Sequence, residues 1–127
     1  MGDSRKILIV EDEIALLDSY AELIQSAGHT PVKASDGYQG LDILEKNLDQ
    51  IDLVLLDLMM PGVDGLEVLK SIKNNEEKYG KMPIIVLTNM TSESVVKEAF
   101  NIGATSYLVK TDLDYDGLVK ELDKLLG

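Results

Sequence analysis

The stretch Ile51-Asp52-Leu53-Val54-Leu55-Leu56-Asp57-Leu58-Met59-Met60-Pro61-Gly62 constrains this chain more than any other. Its apolar run begins at Leu53, carries one carboxylate, Asp57, to its end, and is stopped by Pro61-Gly62. Such a run between turn residues reads as a strand buried on both faces, the kind that parallel sheets use. An unpaired charge inside that strand would be very costly, so Asp57 belongs at its carboxyl end. Open parallel sheets place their ligand sites there. Taken alone, the stretch is explained better by a polar residue that merely closes a strand.

The rest of the chain supplies partners for that strand. Lys6 to Val10 is a β-branched apolar run ending in Glu11-Asp12-Glu13, and Ile14 to Ala27 follows with Ile14, Leu17, Ala21 and Ile24 at helical spacing. Gly28 ends this helix, Thr30 to Ala34 forms a second strand, and Ser35-Asp36-Gly37 caps a helix to about Asn47. Asp64, three residues before Glu67, opens a helix through Leu66, Leu69 and Ile72. The polar stretch from Asn74 to Lys81 reads as a loop, and Met82 to Thr88 as the fourth strand, with Pro83 near its start. A helix from Ser92 to Ile102 is closed by Gly103, Ser106 to Lys110 is the fifth strand, and Asp114 caps a last helix to Leu126. Five strands alternating with five helices over short connections predict an α/β fold, its parallel sheet covered on both sides. At 127 residues the chain is too short for a closed eight-fold barrel, so the sheet is open and doubly wound, in one domain over residues 1–127.

Composition narrows the function. There are no cysteines and a single histidine, His29, which excludes disulfides, thiolate sites and multi-histidine metal centres. A net charge of −11 argues against nucleic acid or an anionic membrane as a direct partner and suits a basic protein surface or a bound cation. No apolar run approaches the length of a membrane span, and the start lacks a signal-peptide core. Met1-Gly2 resembles a myristoylation start, but Lys6 stands where Ser or Thr is required. A cytoplasmic protein is expected.

Four strand ends carry polar groups: Glu11 and Asp12, Asp57, Thr88, and Lys110. If strands one, three, four and five adjoin, these groups converge on one crevice. Asp12 and Asp57 could not both stay ionised there cheaply without a compensating cation. Hard carboxylate oxygens without histidine or cysteine select Mg²⁺ or a similar ion such as Mn²⁺. Thr88 adds a hydroxyl donor and Lys110 a fixed positive charge. This set meets the needs of phosphoryl transfer to an aspartate. Each residue also has a plainer explanation: the acidic triplet could cap the first helix, Thr88 could belong to a turn, and Lys110 could face solvent. Their recurrence at successive strand ends favours the site.

At this point the chain resembles, along essentially its whole length, the response-regulator receiver domains of two-component signalling. The matching segments are Ile7 to Glu13, Leu55 to Gly65, Ile85 to Thr88 and Gly103 to Lys110, in order and spacing. The resemblance implies the flavodoxin-like strand order 2-1-3-4-5. It implies a phospho-acceptor signalling domain rather than an enzyme, one that catalyses only its own phosphotransfer and slow self-dephosphorylation. Asp57 would receive a phosphoryl group from a sensor histidine kinase or phosphotransfer protein. Asp12, Asp57 and the backbone carbonyl of Met59 would bind Mg²⁺ directly, with Glu11 acting through water. Thr88 would hydrogen-bond the phosphoryl oxygens, and Lys110 would pair with Asp57 or its phosphate. Tyr107 would be the switch aromatic, turning inward as Thr88 moves toward the phosphate. The responding surface would be the fourth helix, fifth strand and fifth helix, from about Ser92 to Leu126. It would dock a downstream target or output domain, with the chain a monomer or a phosphorylation-dependent dimer.

Two departures qualify the match. The family usually has Pro after the lysine, often joined by a cis peptide, whereas Thr111 stands here. A non-proline cis bond costs about 3 kcal/mol, so the sequence leaves the isomer, and the placement of Lys110, open. Asn89 follows Thr88 where a small residue is usual, and Met59 and Met90 are apolar, which predicts restricted water access and slow loss of phosphate. Asp112 to Gly117 begins like a calcium loop, but a strand precedes it, Lys120 occupies a ligand position and Asp123 replaces the closing Glu, so helix capping is expected. His29 reads as a solvated turn residue. An aspartate-nucleophile phosphatase would need a second Asp at the position of Met59. A flavodoxin-type cofactor binder would need a phosphate loop where Glu11-Asp12-Glu13 stands. A docking module working without phosphorylation is the alternative reading, disfavoured by the joint presence of Asp12, Asp57, Thr88 and Lys110.

Overall fold

Five parallel strands stand in the order β2-β1-β3-β4-β5 in the computed structural model of the chain, which describes residues 4–46, 51–60, 64–79, 82–89 and 93–126. They are β1 (Lys6–Val10), β2 (Thr30–Ala34), β3 (Leu53–Asp57), β4 (Ile84–Thr88) and β5 (Ser106–Val109). Every residue of β3 and β4 is buried, as the unbroken apolar run around Leu53 to Leu56 requires of a strand covered on both sides.

Alternation along the strands divides the core in two. Ile7, Ile9, Leu53, Leu55, Ile85 and Leu87 face α1 (Ile14–Ser26) and α6 (Tyr115–Leu126), through Leu17, Tyr20, Ile24, Leu118 and Leu122. Leu8, Val10, Val54, Leu56, Ile84 and Val86 face α2 (Gly37–Lys46), α3 (Gly65–Lys73) and α5 (Glu93–Ile102), through Leu44, Leu69, Ile72 and Ala99. A strand's side-chain period of two produces this split, and burial of both faces hides it from any polar–apolar pattern.

Caps fix where the helices begin. Asp36 Oδ1 accepts from the Gln39 amide at 2.8 Å as the cap of α2, while Gln39 Oε1 reaches back to accept from the amide of Ser35, one residue before the cap, at 2.8 Å. Asp64 accepts from the Glu67 amide at 3.0 Å, and Asp114 from the Gly117 amide at 2.8 Å. Asp114 is thus a helix cap, as expected in place of a calcium ligand. Gly28, at φ +90°, ends α1 in the left-handed region that only glycine enters freely.

Three details differ from the sequence reading. A short sixth helix, α4 (Glu76–Tyr79), occupies part of the expected loop. The Asn75 carbonyl accepts from the amides of Lys78 and Tyr79, and Lys78 pairs with Glu45 of α2, so a polar sequence is held helical by a tertiary contact. Next, β5 stops at Val109, and Lys110–Asp112 form one turn of 3₁₀ helix. Last, His29 is half-buried and its Nδ1 accepts from the Arg5 amide at 3.0 Å, tying the α1–β2 turn to the start of β1. Asn47, Pro61, Gly62, Met90 and Ser92 lie outside the described residues. No helix among the described residues is long and apolar enough to cross a membrane.

Candidate functional site

Strand register assembles the site. Val10 pairs with Leu56, Asp57 with Leu87, and Thr88 with Val109. Glu11, Asp57, Thr88 and Lys110 therefore end four adjoining strands within a residue of one level. The ladder carries a step beyond the strands, with the Glu11 amide donating to the Ala34 carbonyl and the Leu58 amide to that of Leu87, both at 3.1 Å.

Glu11 and Asp57 are completely buried. Lys110 Nζ lies 2.9 Å from Glu11 Oε1 and 3.0 Å from Asp57 Oδ2. The other carboxylate oxygens are held by backbone: Asp57 Oδ1 accepts from the Met59 amide at 3.0 Å, and Glu11 Oε2 from the Glu13 amide at 3.1 Å. Among the described residues Glu11 Oε1 and Asp57 Oδ2 have the one ammonium and no further hydrogen-bond donor. All peptide bonds among the described residues are trans, so Lys110 reaches both carboxylates with Thr111 in place of proline.

Two buried carboxylates facing one ammonium leave negative charge in excess. Burial pushes Glu11 up to about 7, against the pull of Lys110 and the Glu13 amide, and Asp57 adds to the rise. Desolvation works to lower Lys110, but hydrogen bonds and charge from Glu11 and Asp57 outweigh it and hold the ammonium up at about 12. Asp12 stands beside them half-buried. Oxygens of Glu11, Asp12 and Asp57 all lie within 4.8 Å of one another. A purely oxygen donor set with surplus negative charge and under-coordinated buried oxygens fits a hard divalent cation.

The loop after Asp57 is held tight by a glycine that sequence reasoning passed over. Gly65 donates its amide to the Leu58 carbonyl at 3.3 Å. A Cβ there would overlap the Asp57 carbonyl oxygen and Leu58 Cα. The signal was present in Asp64-Gly65, read only for its cap. The direct Glu11–Lys110 pairing was likewise not anticipated.

Thr88 and Tyr107 are placed at the same edge but not on Asp57. Thr88 is buried, and its Oγ1 donates to the Asn89 carbonyl at 3.2 Å. Tyr107 points outward with 46% of its surface exposed, against Phe100. Met59 is exposed above the site.

Comparison with known proteins bears on this geometry. The sequence profile described as "response regulator receiver domain" matches residues 7–123. The transcriptional regulatory protein CpxR of Escherichia coli is 38% identical over 105 residues, 83% of this chain; the match spans 42% of that protein's length. The sporulation initiation phosphotransferase F of Bacillus subtilis is 34% identical over 112 residues, 87% of this chain and 86% of that protein. The crystal structure of a chemotaxis protein of Vibrio cholerae superposes with a TM-score of 0.86 at 30% identity, covering 96% of this chain and 98% of that one. A buried aspartate closing the central strand, an acidic neighbour one strand away and a lysine bridging them thus sit in a fold and a sequence that agree, and the chain belongs to the response regulator receiver domain family.

Proposed function

We propose that this chain, as a single receiver domain, accepts a phosphoryl group on Asp57 and thereby switches the surface formed by α5, β5 and α6. The observation that carries this reading is Lys110 Nζ bridging Glu11 and Asp57 at the end of β3. Receiver domains bind Mg²⁺ at an acidic pocket, and here Asp12, Asp57 and the Met59 carbonyl would hold the ion, with Glu11 behind them. When bound, it would offset charge on the phosphoryl oxygens and the attacking carboxylate. Asp57 is oriented for attack by the Met59 amide and by Lys110. An oxygen of its carboxylate forms the new bond to phosphorus as the bond from phosphorus to the donor's imidazole nitrogen breaks, and the imidazole leaves with that electron pair. Lys110, already cationic, then faces a group of greater negative charge.

Thr88 would exchange the Asn89 carbonyl for a phosphoryl oxygen, and Tyr107 would turn into the space so released. Phosphate binds one arrangement of these residues better than the other, and that difference shifts the balance. The donor is a sensor histidine kinase or phosphotransfer protein. The reader of the switched face is a downstream protein or an output domain, which agrees with the regulatory relatives being longer than this chain. Intact-mass spectrometry after incubation with acetyl phosphate, with and without Mg²⁺, tests the proposal. A Mg²⁺-dependent gain of one phosphoryl group that Asp57→Asn abolishes is expected. No gain by the folded protein with Mg²⁺ present would leave a docking module that works without phosphorylation.

A further inference from the structure

Phe100, the chain's one phenylalanine, lies on α5 with its ring centroid 6.0 Å from that of Tyr107 and the planes at 87°. This is edge-to-face contact, in which the positive rim of one ring meets the negative face of the other. Both rings remain partly in water, at 40% and 46% exposed, so the contact lies outside the buried core. Its position gives it a role. Tyr107 pairs with Val86, and Val109 with Thr88, which puts Tyr107 and Thr88 on the same face of the sheet. Val86 on that face belongs to the core covered by α2, α3 and α5, and Phe100 comes from α5 itself. The outward Tyr107 coincides with a Thr88 hydroxyl bonded to the Asn89 carbonyl rather than to Asp57.

We infer that Phe100 is a positioning residue that latches the resting state, its ring holding Tyr107 outward and so keeping Thr88 from Asp57. The inference rests on the switch reading of Thr88 and Tyr107 above. Turning Tyr107 inward breaks the ring contact, so the contact exists in one state only and biases the equilibrium by its own strength. An aromatic pair of this geometry is worth a factor of about two to ten. Carrying a two-state equilibrium from one extreme to the other takes on the order of ten-thousandfold. The latch therefore sets the resting level while phosphate still throws the switch. Phe100 and Tyr107 also form part of the wall of a groove of about 500 Å³ with Leu113, Glu121 and Lys124, so release of the latch reshapes the face a partner would read.

The test uses the full chain with fluorotyrosine at its five tyrosines, the Tyr107 resonance being assigned with Tyr107→Phe. Beryllofluoride with Mg²⁺, a phosphoryl mimic, marks the inward position. In the free protein Phe100→Leu should move the Tyr107 signal part of the way toward that position. It should also raise the rate of phosphorylation by acetyl phosphate about two- to tenfold. Phe100→Tyr, which keeps a ring, should restore both, and urea unfolding should show Phe100→Leu losing no more folding stability than the two- to tenfold that the ring contact is worth. A Phe100→Leu protein with wild-type signal and rate, in which beryllofluoride still moves Tyr107, overturns the latch and leaves the switch standing. A wild-type Tyr107 that ignores beryllofluoride overturns the switch reading and the latch with it.

Discussion

On the side of the sheet covered by α1 and α6, Glu11 and Asp57 are sealed from water and bridged by Lys110. On the side covered by α5, Thr88 holds only its neighbour's carbonyl, and Tyr107 rests half in water on one aromatic edge. The first group is over-determined, because a displaced buried charge is penalised severely. The second has little to lose by moving, since its contacts are worth about 1 kcal/mol. A phosphate-operated switch needs both kinds of construction side by side. Its chemistry must stay fixed while its reporter has two arrangements of similar energy.

Lys110→Met tests the over-determined half most severely. It leaves two buried carboxylates without their cation, and breaking a buried pair this way costs about 3–5 kcal/mol. Urea unfolding in chelator should show that loss, and Mg²⁺ should recover part of it by taking the ammonium's place. A loss under 1 kcal/mol would mean that water reaches the carboxylates and that the two halves are not so different.

Nearly as large is the pH dependence of the ion-free protein. Burial pushes Glu11 from its ordinary 4.5 up to about 7, so the folded state binds its proton more tightly than the unfolded state. The resulting stability is complete below pH 4.5 and is lost as pH rises through 7. The loss is on the order of 3 kcal/mol. Urea midpoints in chelator should therefore fall across that range, and Glu11→Gln should flatten the fall. A rise instead would reverse the assignment of burial as the cause.

Gly65→Ala should cost about 1–3 kcal/mol by forcing a methyl group against the backbone that carries Asp57. Because the displaced atoms belong to the site, phosphorylation by acetyl phosphate should slow in parallel with the urea midpoint. In the proposed phosphorylated state Met59, exposed on the same loop, would shield the phosphate. Met59→Ala should shorten the aspartyl-phosphate half-life about three- to tenfold, a barrier change of about 1 kcal/mol, read by mass spectrometry after desalting. An unchanged half-life would mean that water reaches the phosphate by another route.

The over-determined half was also the more legible one. Asp57, Glu11 and Lys110 announce themselves because an ionisable group closing an apolar strand has few cheap explanations, and order and spacing then match a known family. Sheet order came from that family match rather than from the pattern of residues. The geometry within the half was less legible. Lys110 pairs with Glu11 as well as Asp57 because β1 and β5 flank the central pair, and no local signal in Glu11-Asp12-Glu13 says so. The helix at Glu76–Tyr79 was hidden for the same reason, since Glu45, far away in sequence, holds it. Phe100 was invisible because its spacing on α5 is that of any amphipathic helix.

Two tyrosines bring the comparison to its finest scale. Tyr20, on the sealed side, is 3% exposed, and its hydroxyl has no hydrogen-bond partner among the described residues. Burial, with Glu11, Asp57 and Glu13 adding to it against the opposing charge of Lys110, pushes it up to about 12. An unpaired buried hydroxyl is a net cost, so Tyr20→Phe should leave stability at neutral pH unchanged or raise it by up to about 1 kcal/mol. Because the folded state holds this phenol's proton more tightly, the advantage of the variant should grow as pH climbs from 10 toward 12. Tyr107→Leu, on the more exposed side, should lower stability to urea by no more than about 1 kcal/mol, the worth of its one ring contact. It should nevertheless abolish the response of the α5–β5–α6 face to beryllofluoride, seen in the amide spectrum of residues 93–126. If Tyr107→Leu destabilised the protein by more than that ring contact is worth while the face still responded, Tyr107 would be a core residue and the two halves would be held by one kind of interaction.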